Sequence, residues 1–199
     1  MCVASFAAFV VLTGLVVLGI TQAWDVGVMQ AIGTFRDARP ATLAAARAAT
    51  ALGNVYLEIA AAMVMAWVLW RFGRGDRAWR FVLTCLSAEL CYAVAKQLIR
   101  RPRPDAQLIA HMADAGWYSY PSGHAMLGLV IWGLGFFLLA RTVPSRGAVA
   151  LFVLLGVALP TFLAVSRPYL GVHYPTDVLG AVMLGMAWVL LWREDPVAP

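Results

Sequence analysis

Six stretches of this chain stay apolar for about 18 to 22 residues each, and that repetition limits the fold more than any other feature. A helix of that length crosses the ~30 Å hydrocarbon layer, where every peptide N–H and C=O must find its partner within the chain. The runs lie at roughly 3–23, 54–72, 78–99, 122–141, 147–166 and 175–193. They predict an all-α polytopic membrane protein with six transmembrane helices. A mean hydropathy of +0.79, with 62% hydrophobic and 13% charged residues, excludes a soluble domain of ordinary composition. Thr21-Gln22-Ala23 is a passable cleavage site, yet no positive n-region precedes the first run and its apolar stretch is too long, so it reads as an uncleaved anchor.

Between the first two runs, Val28, Met29, Ile32 and Phe35 recur at helical spacing beside Arg36, Asp37 and Arg39. That pattern suits either a helix lying in the membrane interface or an ordinary amphipathic connector. No internal repeat or low-complexity linker divides the sequence, so residues 1–199 are expected to form a single membrane-embedded domain. Fourteen arginines and one lysine give a formal charge of +5, but they are scattered over short connectors instead of forming one basic face. Nucleic acid is therefore a poor partner. Cys2, Cys85 and Cys91 have neither metal-ligand spacing nor an even disulfide count and read as packing residues.

Arg71, Arg74, Arg77 and Arg80 crowd the second connector, and Arg141 and Arg146 flank the fourth. By the positive-inside rule both are cytoplasmic, which puts both termini inside and the first, third and fifth connectors outside. Lys96, Arg100, Arg101 and Arg103 count against this orientation unless they bind phosphate. Trp70, Trp79 and Trp192 then fall near the inner interface, and Trp24 and Trp117 near the outer. Whatever the absolute orientation, the end of run three, the start of four, the end of five and the start of six share one face. All three polar clusters of the chain sit at those ends, which predicts that they converge on one site.

The first cluster holds Lys96, the only lysine, and Arg103; Pro102 and Pro104 break the helix between and after them and let both cations reach one anion. Arg100 and Arg101 are read as snorkelling to headgroups, and the same reading stands as the alternative for Lys96. In the second cluster, Ser122 is a good N-cap, Gly123 permits close backbone approach, and the first helical amides can donate to phosphate oxygens. His124 there suits proton transfer near neutrality, with an interfacial hydrogen-bonded histidine as the alternative. The third cluster runs from Ser166 to Asp177. Arg167 can grip phosphate in a fork, and Asp177 can hold one ring nitrogen of His173 while the other acts as nucleophile. The bland alternative is that Asp177 favours the positive helix end and His173 caps it.

Lys96 with six residues before Arg103-Pro104, then Pro121-Ser122-Gly123-His124, then Ser166-Arg167 with five residues before His173 and three before Asp177, resembles the three signatures of the type 2 phosphatidic acid phosphatase superfamily. The resemblance covers the chain from about run three to run six and implies a catalytic core at about 78–193; the first seventy residues carry no signature. It implies that His173 attacks phosphorus to form a phosphohistidine, Asp177 orients it, and His124 protonates the leaving group. Lys96, Arg103, Ser122, Gly123 and Arg167 would hold the phosphoryl oxygens. It implies metal-independent chemistry with no cofactor, and no metal-spaced ligand cluster is left over once these roles are assigned.

The expected function is a bacterial-type hydrolase that removes phosphate from a lipid phosphate or diphosphate at the outer leaflet of the cytoplasmic membrane. Undecaprenyl diphosphate, phosphatidylglycerol phosphate and phosphatidic acid are the candidate substrates, and membrane lipids the surroundings. A lipid phosphotransferase using the same phosphohistidine is the alternative within enzymes, and a non-catalytic lipid-binding or transport protein the alternative outside them. Six apolar runs argue against a soluble vanadate haloperoxidase, which shares the family's site. Asp105, His111 and Asp114 read as exposed loop polarity, and Glu89 either tunes the site or pairs with another helix. Nothing in the sequence fixes the oligomeric state.

Overall fold

The computed structural model describes residues 1–113 and 116–191. Asp114 and Trp192, with the end of the last predicted run, lie outside the described residues. The elements in chain order are α1 (Cys2–Val17), α2 (Gln22–Asp37), α3 (Thr42–Ala51), α4 (Val55–Arg71), α5 (Gly75–Ile99), α6 (Gly123–Gly128), a π-helical turn region (Leu129–Leu134), α7 (Gly135–Ala140), α8 (Arg146–Tyr169) and α9 (Pro175–Leu191). Gly123–Ala140 is one continuous helix.

The helix ends follow local chemistry. Asn54, in extended conformation, accepts from the Tyr56 amide and starts α4, and Ser145 does the same for α8 through the Ala148 amide. Arg100 turns left-handed at φ 51° and stops α5 just ahead of Pro102. Pro175, whose missing N–H costs nothing in a first turn, opens α9.

By length and composition three helices can cross a membrane: α5, Gly123–Ala140 and α8. The number rises to five if α1 with α2 and α3 with α4 each count as one bent span, and α9 is a shorter apolar helix. The bends are 90° and 57°. The window of Gly123–Ala140 is 61% buried against 17% for those of α5 and α8, so this helix is the axis of the bundle. One core cluster joins Phe9 and Val16 of α1 to Ala88, Tyr120, Met126, Val130, Ala164, Ala181 and Leu184. A second joins Met65 and Leu69 of α4 to Phe81, Trp132, Leu138, Leu139 and Leu163. Trp70, Trp79, Trp24 and Trp117 are all exposed.

The amphipathic segment forms α2, which turns at right angles to α1. Its Met29 packs with Ile109 and Tyr174, and its buried Arg36 donates to the carbonyls of Ala110, at 2.9 Å, and Tyr169, at 3.4 Å. The apolar positions therefore cover the connectors that carry the polar clusters. Gly171, at φ +81°, lets those connectors cross, since a Cβ there would sit 2.7 Å from the Ala110 carbonyl oxygen.

Tyr120 is fully buried against α9, and a Cβ on Gly180 would lie 2.3 Å from its hydroxyl oxygen. Gly180→Ala is expected to lower stability by about 1–3 kcal/mol through overpacking. A fall in the thermal midpoint of the detergent-solubilised protein checks this; an unchanged midpoint contradicts it.

Candidate active site

His173 lies in the turn between α8 and α9, and Asp177 one helical turn later in the first turn of α9. Asp177 Oδ2 accepts the Tyr174 amide at 2.8 Å and stands 3.4 Å from His173 Nδ1. On its other side, Oδ1 receives Arg101 Nη1 at 2.7 Å. The carboxylate is thus fixed at both oxygens. His173 Nε2 is 3.1 Å from Arg103 Nη1. A guanidinium only donates, so Nε2 must accept, which assigns the ring proton to Nδ1 on the side of Asp177. Burial first, then the charges of Arg103, Arg167 and Lys96, hold the His173 pKa well below its ordinary 6.5. The ring is neutral at physiological pH, with its basic lone pair on Nε2.

Around this ring the cations are tied to carbonyls and hydroxyls. Arg103 donates to Val172 O at 2.6 Å and to Gly116 O at 2.7 Å. Lys96 Nζ donates to Tyr118 O at 2.8 Å and stands 5.0 Å from the Tyr92 ring centroid. Their donation to the 116–118 segment brings the two ends of the first signature together, as the proline breaks predict. Arg167, 3% exposed, donates from Nη1 to Thr50, while its Nε is buried without a partner. Ser122 occupies the N-cap position, but its hydroxyl makes no cap bond and is also buried and unpartnered. Its amide donates to the Asp177 carbonyl at 3.1 Å, linking the second and third clusters. Gly123 meets the Tyr92 ring, where a Cβ would fall 2.6 Å from Cζ. His124 packs on Gly53 at the α3–α4 bend, where a Cβ would approach its ring to 2.3 Å.

The structure corrects one expectation. Arg101 does not snorkel: it is 8% exposed, donates 2.7 Å bonds to Asp25 Oδ2, Asp177 Oδ1 and Thr176 Oγ1, and lies over the Tyr174 ring at 4.1 Å. Asp25 in turn accepts from the Thr176 amide and hydroxyl. The tertiary fold pairs Arg101 with carboxylates distant in sequence, a balance that helix-end position alone does not reveal. Arg100, by contrast, is exposed and donates to its neighbour Gln97 O. Asp25, Thr50 and Gly53 also escaped the sequence reading because they fall in the segment without signatures. The one available signal was Asp25 as an acid on the polar edge of α2. Asp105 and His111 are exposed and bond within their own loop, to the Gln107 amide and the Pro104 carbonyl.

Removing the cation nearest His173 makes its imidazolium less unfavourable. In Arg103→Gln the His173 pKa is expected to rise toward the ordinary histidine value, so the ring protonates at a higher pH on acidification. NMR titration of the ring in detergent measures this; the same midpoint in both proteins contradicts the assigned contact.

A model of the PAP2 superfamily matches residues 77–196. The chain is 31% identical over 174 residues to the decaprenylphosphoryl-5-phosphoribose phosphatase of Mycobacterium tuberculosis, covering 81% of this chain and 84% of that protein. It is 35% identical over 95 residues to phosphatidylglycerophosphatase B of Bacillus subtilis, covering 47% of this chain and 45% of the relative, so the match spans less than half of that protein. The crystal structure of a transmembrane PAP2 type phosphatidylglycerolphosphate phosphatase from Bacillus subtilis shares the fold, with a TM-score of 0.86 at 24% identity over 96% of this chain and 93% of that one. A family model that spans more than half of the sequence, and a relative alignable across most of both chains, establish that this chain belongs to the PAP2 superfamily.

Proposed function

We propose that the protein is a membrane phosphatase that hydrolyses a lipid phosphate or diphosphate through a phosphohistidine on His173. The observation that carries this reading is a pair of buried polar atoms without protein partners, Ser122 Oγ and Arg167 Nε, in the clusters around a His173 whose Nε2 faces Arg103 and whose Nδ1 stands 3.4 Å from Asp177 Oδ2 without a hydrogen bond. Buried donors normally have acceptors, and a phosphoryl group supplies them here.

In the first step His173 Nε2 attacks phosphorus as the bond from phosphorus to the leaving oxygen breaks. His124 gives that oxygen its proton, so it leaves as a hydroxyl of the lipid, or as a phosphate oxygen of the lipid monophosphate if the substrate is a diphosphate. Arg103 turns from Nε2 to a phosphoryl oxygen; Lys96, Arg167, Ser122 and the amide of Gly123 take the others and stabilise charge on the equatorial oxygens. The Nδ1 proton stays toward Asp177, whose carboxylate stabilises the imidazolium formed. Water then attacks phosphorus, His124 accepts its proton, the nitrogen–phosphorus bond breaks and inorganic phosphate is released. The cations do the charge neutralisation that a metal ion does in other phosphoryl transfers. Phosphatidylglycerol phosphate, undecaprenyl diphosphate, phosphatidic acid and decaprenylphosphoryl phosphoribose are the substrates to compare, a range supported by the relatives' activities.

The layout that fits this reading is six spans in one domain: α1, α4, α5, Gly123–Ala140, α8 and α9. At 16 or 17 residues, α1, α4 and α9 are about 24–26 Å long and reach across most of the hydrocarbon layer. With Arg77, Arg80, Arg141 and Arg146 at the opposite end from the polar site, both termini face the cytoplasm of a bacterial inner membrane and the site faces the periplasm.

Purified protein in detergent with EDTA is expected to release phosphate from at least one of these lipids, and His173→Ala to lose on the order of 10³-fold or more. Equal release by the two proteins would remove His173 as nucleophile. A cysteine introduced between Arg141 and Arg146 is expected to resist a membrane-impermeant thiol reagent in intact cells; labelling there would reverse the orientation.

A further inference from the structure

A cavity of about 340 Å³ opens between α4, α5 and the Gly123–Ala140 helix, lined by Glu58, Glu89, Ile59, Leu127 and Ile131 among others. It starts beside the polar site on all three helices. Val55 in its wall follows Gly53, which meets His124; Leu127 lies one turn after His124; Glu89 lies one turn before Tyr92 and two turns before Lys96, about 10 Å along the axis. Its outer rim is apolar and exposed, with Ile59, Met63 and Leu86 all more than half exposed. A lipid tail fits that rim. Two carboxyl groups in the wall do not follow from tail binding.

Glu58 is the informative one. It is 5% exposed, and its Oε1 is buried without a hydrogen-bond partner. Its position in the first turn of α4 favours an acidic residue through the helix dipole. The dipole does not explain an orphaned oxygen in a lipid-facing groove, where a buried polar atom is costly unless something meets it. An ionised carboxyl oxygen only accepts and a neutral carboxyl can also donate, and a hydroxyl, which does both, meets Glu58 in either state.

We propose that this groove is the subsite for a hydroxyl-bearing linker between the scissile phosphate and the lipid, with Glu58 and Glu89 accepting the hydroxyl hydrogens and the apolar rim holding the start of the tail. The proposal rests on the phosphatase reading and narrows it to polyol-linked lipid phosphates, in which a glycerol or sugar joins the phosphate to the lipid. A diacylglycerol phosphate or a polyprenyl diphosphate carries no hydroxyl at that distance and leaves Glu58 unmet.

The test compares kcat/KM for phosphatidylglycerol phosphate, for phosphatidic acid with the same acyl chains, for undecaprenyl diphosphate and for p-nitrophenyl phosphate, in wild type, Glu58→Gln and Glu58→Leu. Wild type is expected to favour the glycerol-linked substrate over phosphatidic acid on the order of tenfold, the worth of a good hydrogen bond to a carboxylate. Glu58→Leu, which keeps the volume and removes the acceptor, brings that ratio to about one, and Glu58→Gln, with an amide oxygen in place, retains part of it. A wild-type ratio near one, or a ratio unchanged in Glu58→Leu, overturns the subsite while phosphatase activity stands. Loss by one common factor on all four substrates shows a structural role for Glu58 and also overturns it. No hydrolysis of any substrate by wild type overturns the phosphatase reading, and the subsite with it.

Discussion

The rest of the site depends on one buried carboxylate. Asp177 is fully buried and is bonded on two sides: Arg101 donates to Oδ1 and the Tyr174 amide to Oδ2, which stands 3.4 Å from His173 Nδ1. An ionised carboxylate at that depth is stable only with charged and hydrogen-bonded partners. Arg101 supplies the charge, and Asp25 and Thr176 satisfy the rest of its guanidinium. The network draws α2, the end of α5 and the start of α9 to one point. Asp177 is thereby held beside the His173 ring, whose Nε2 faces Arg103 on the other side.

The cations around His173 are arranged for a ligand as much as for the protein. Arg103 and Lys96 donate to backbone carbonyls of the connectors, contacts that the proposed reaction would exchange for phosphoryl oxygens. Arg167 and Ser122 carry buried atoms with no protein partner. Three positive groups near one buried imidazole raise the cost of protonating it, which keeps the ring neutral. In the reaction we propose, the same groups would stabilise the negative phosphoryl group. One electrostatic arrangement therefore serves both purposes, and it is held by helices whose buried axis is Gly123–Ala140.

Much of this was legible in the residues. Apolar runs of membrane-crossing length announce helices because lipid offers the backbone no other partner. The parity of those runs placed Lys96, Ser122, Arg167 and His173 on one face, and the structure joins these clusters through the Ser122–Asp177 and Arg103–His173 contacts. Arg101 was legible as a charge but misread in environment, since the acid that balances it, Asp25, is 76 residues away in sequence. Ser122 was legible as a helix start, yet its hydroxyl is not used to cap that helix.

Sequence alone determined the helical membrane class, the three polar clusters and the family pattern, because spacing along a helix and the cost of charge in hydrocarbon are local properties of the chain. The tertiary structure decided which cation holds Asp177, which ring nitrogen of His173 faces Arg103, and that Asp25, Thr50 and Gly53 from the segment without signatures meet Arg101, Arg167 and His124. It also set Glu58 in a groove beside that site. Those facts depend on how bent helix pairs pack across the bundle, where one 90° turn between α1 and α2 carries an amphipathic helix over the connectors that hold the polar clusters.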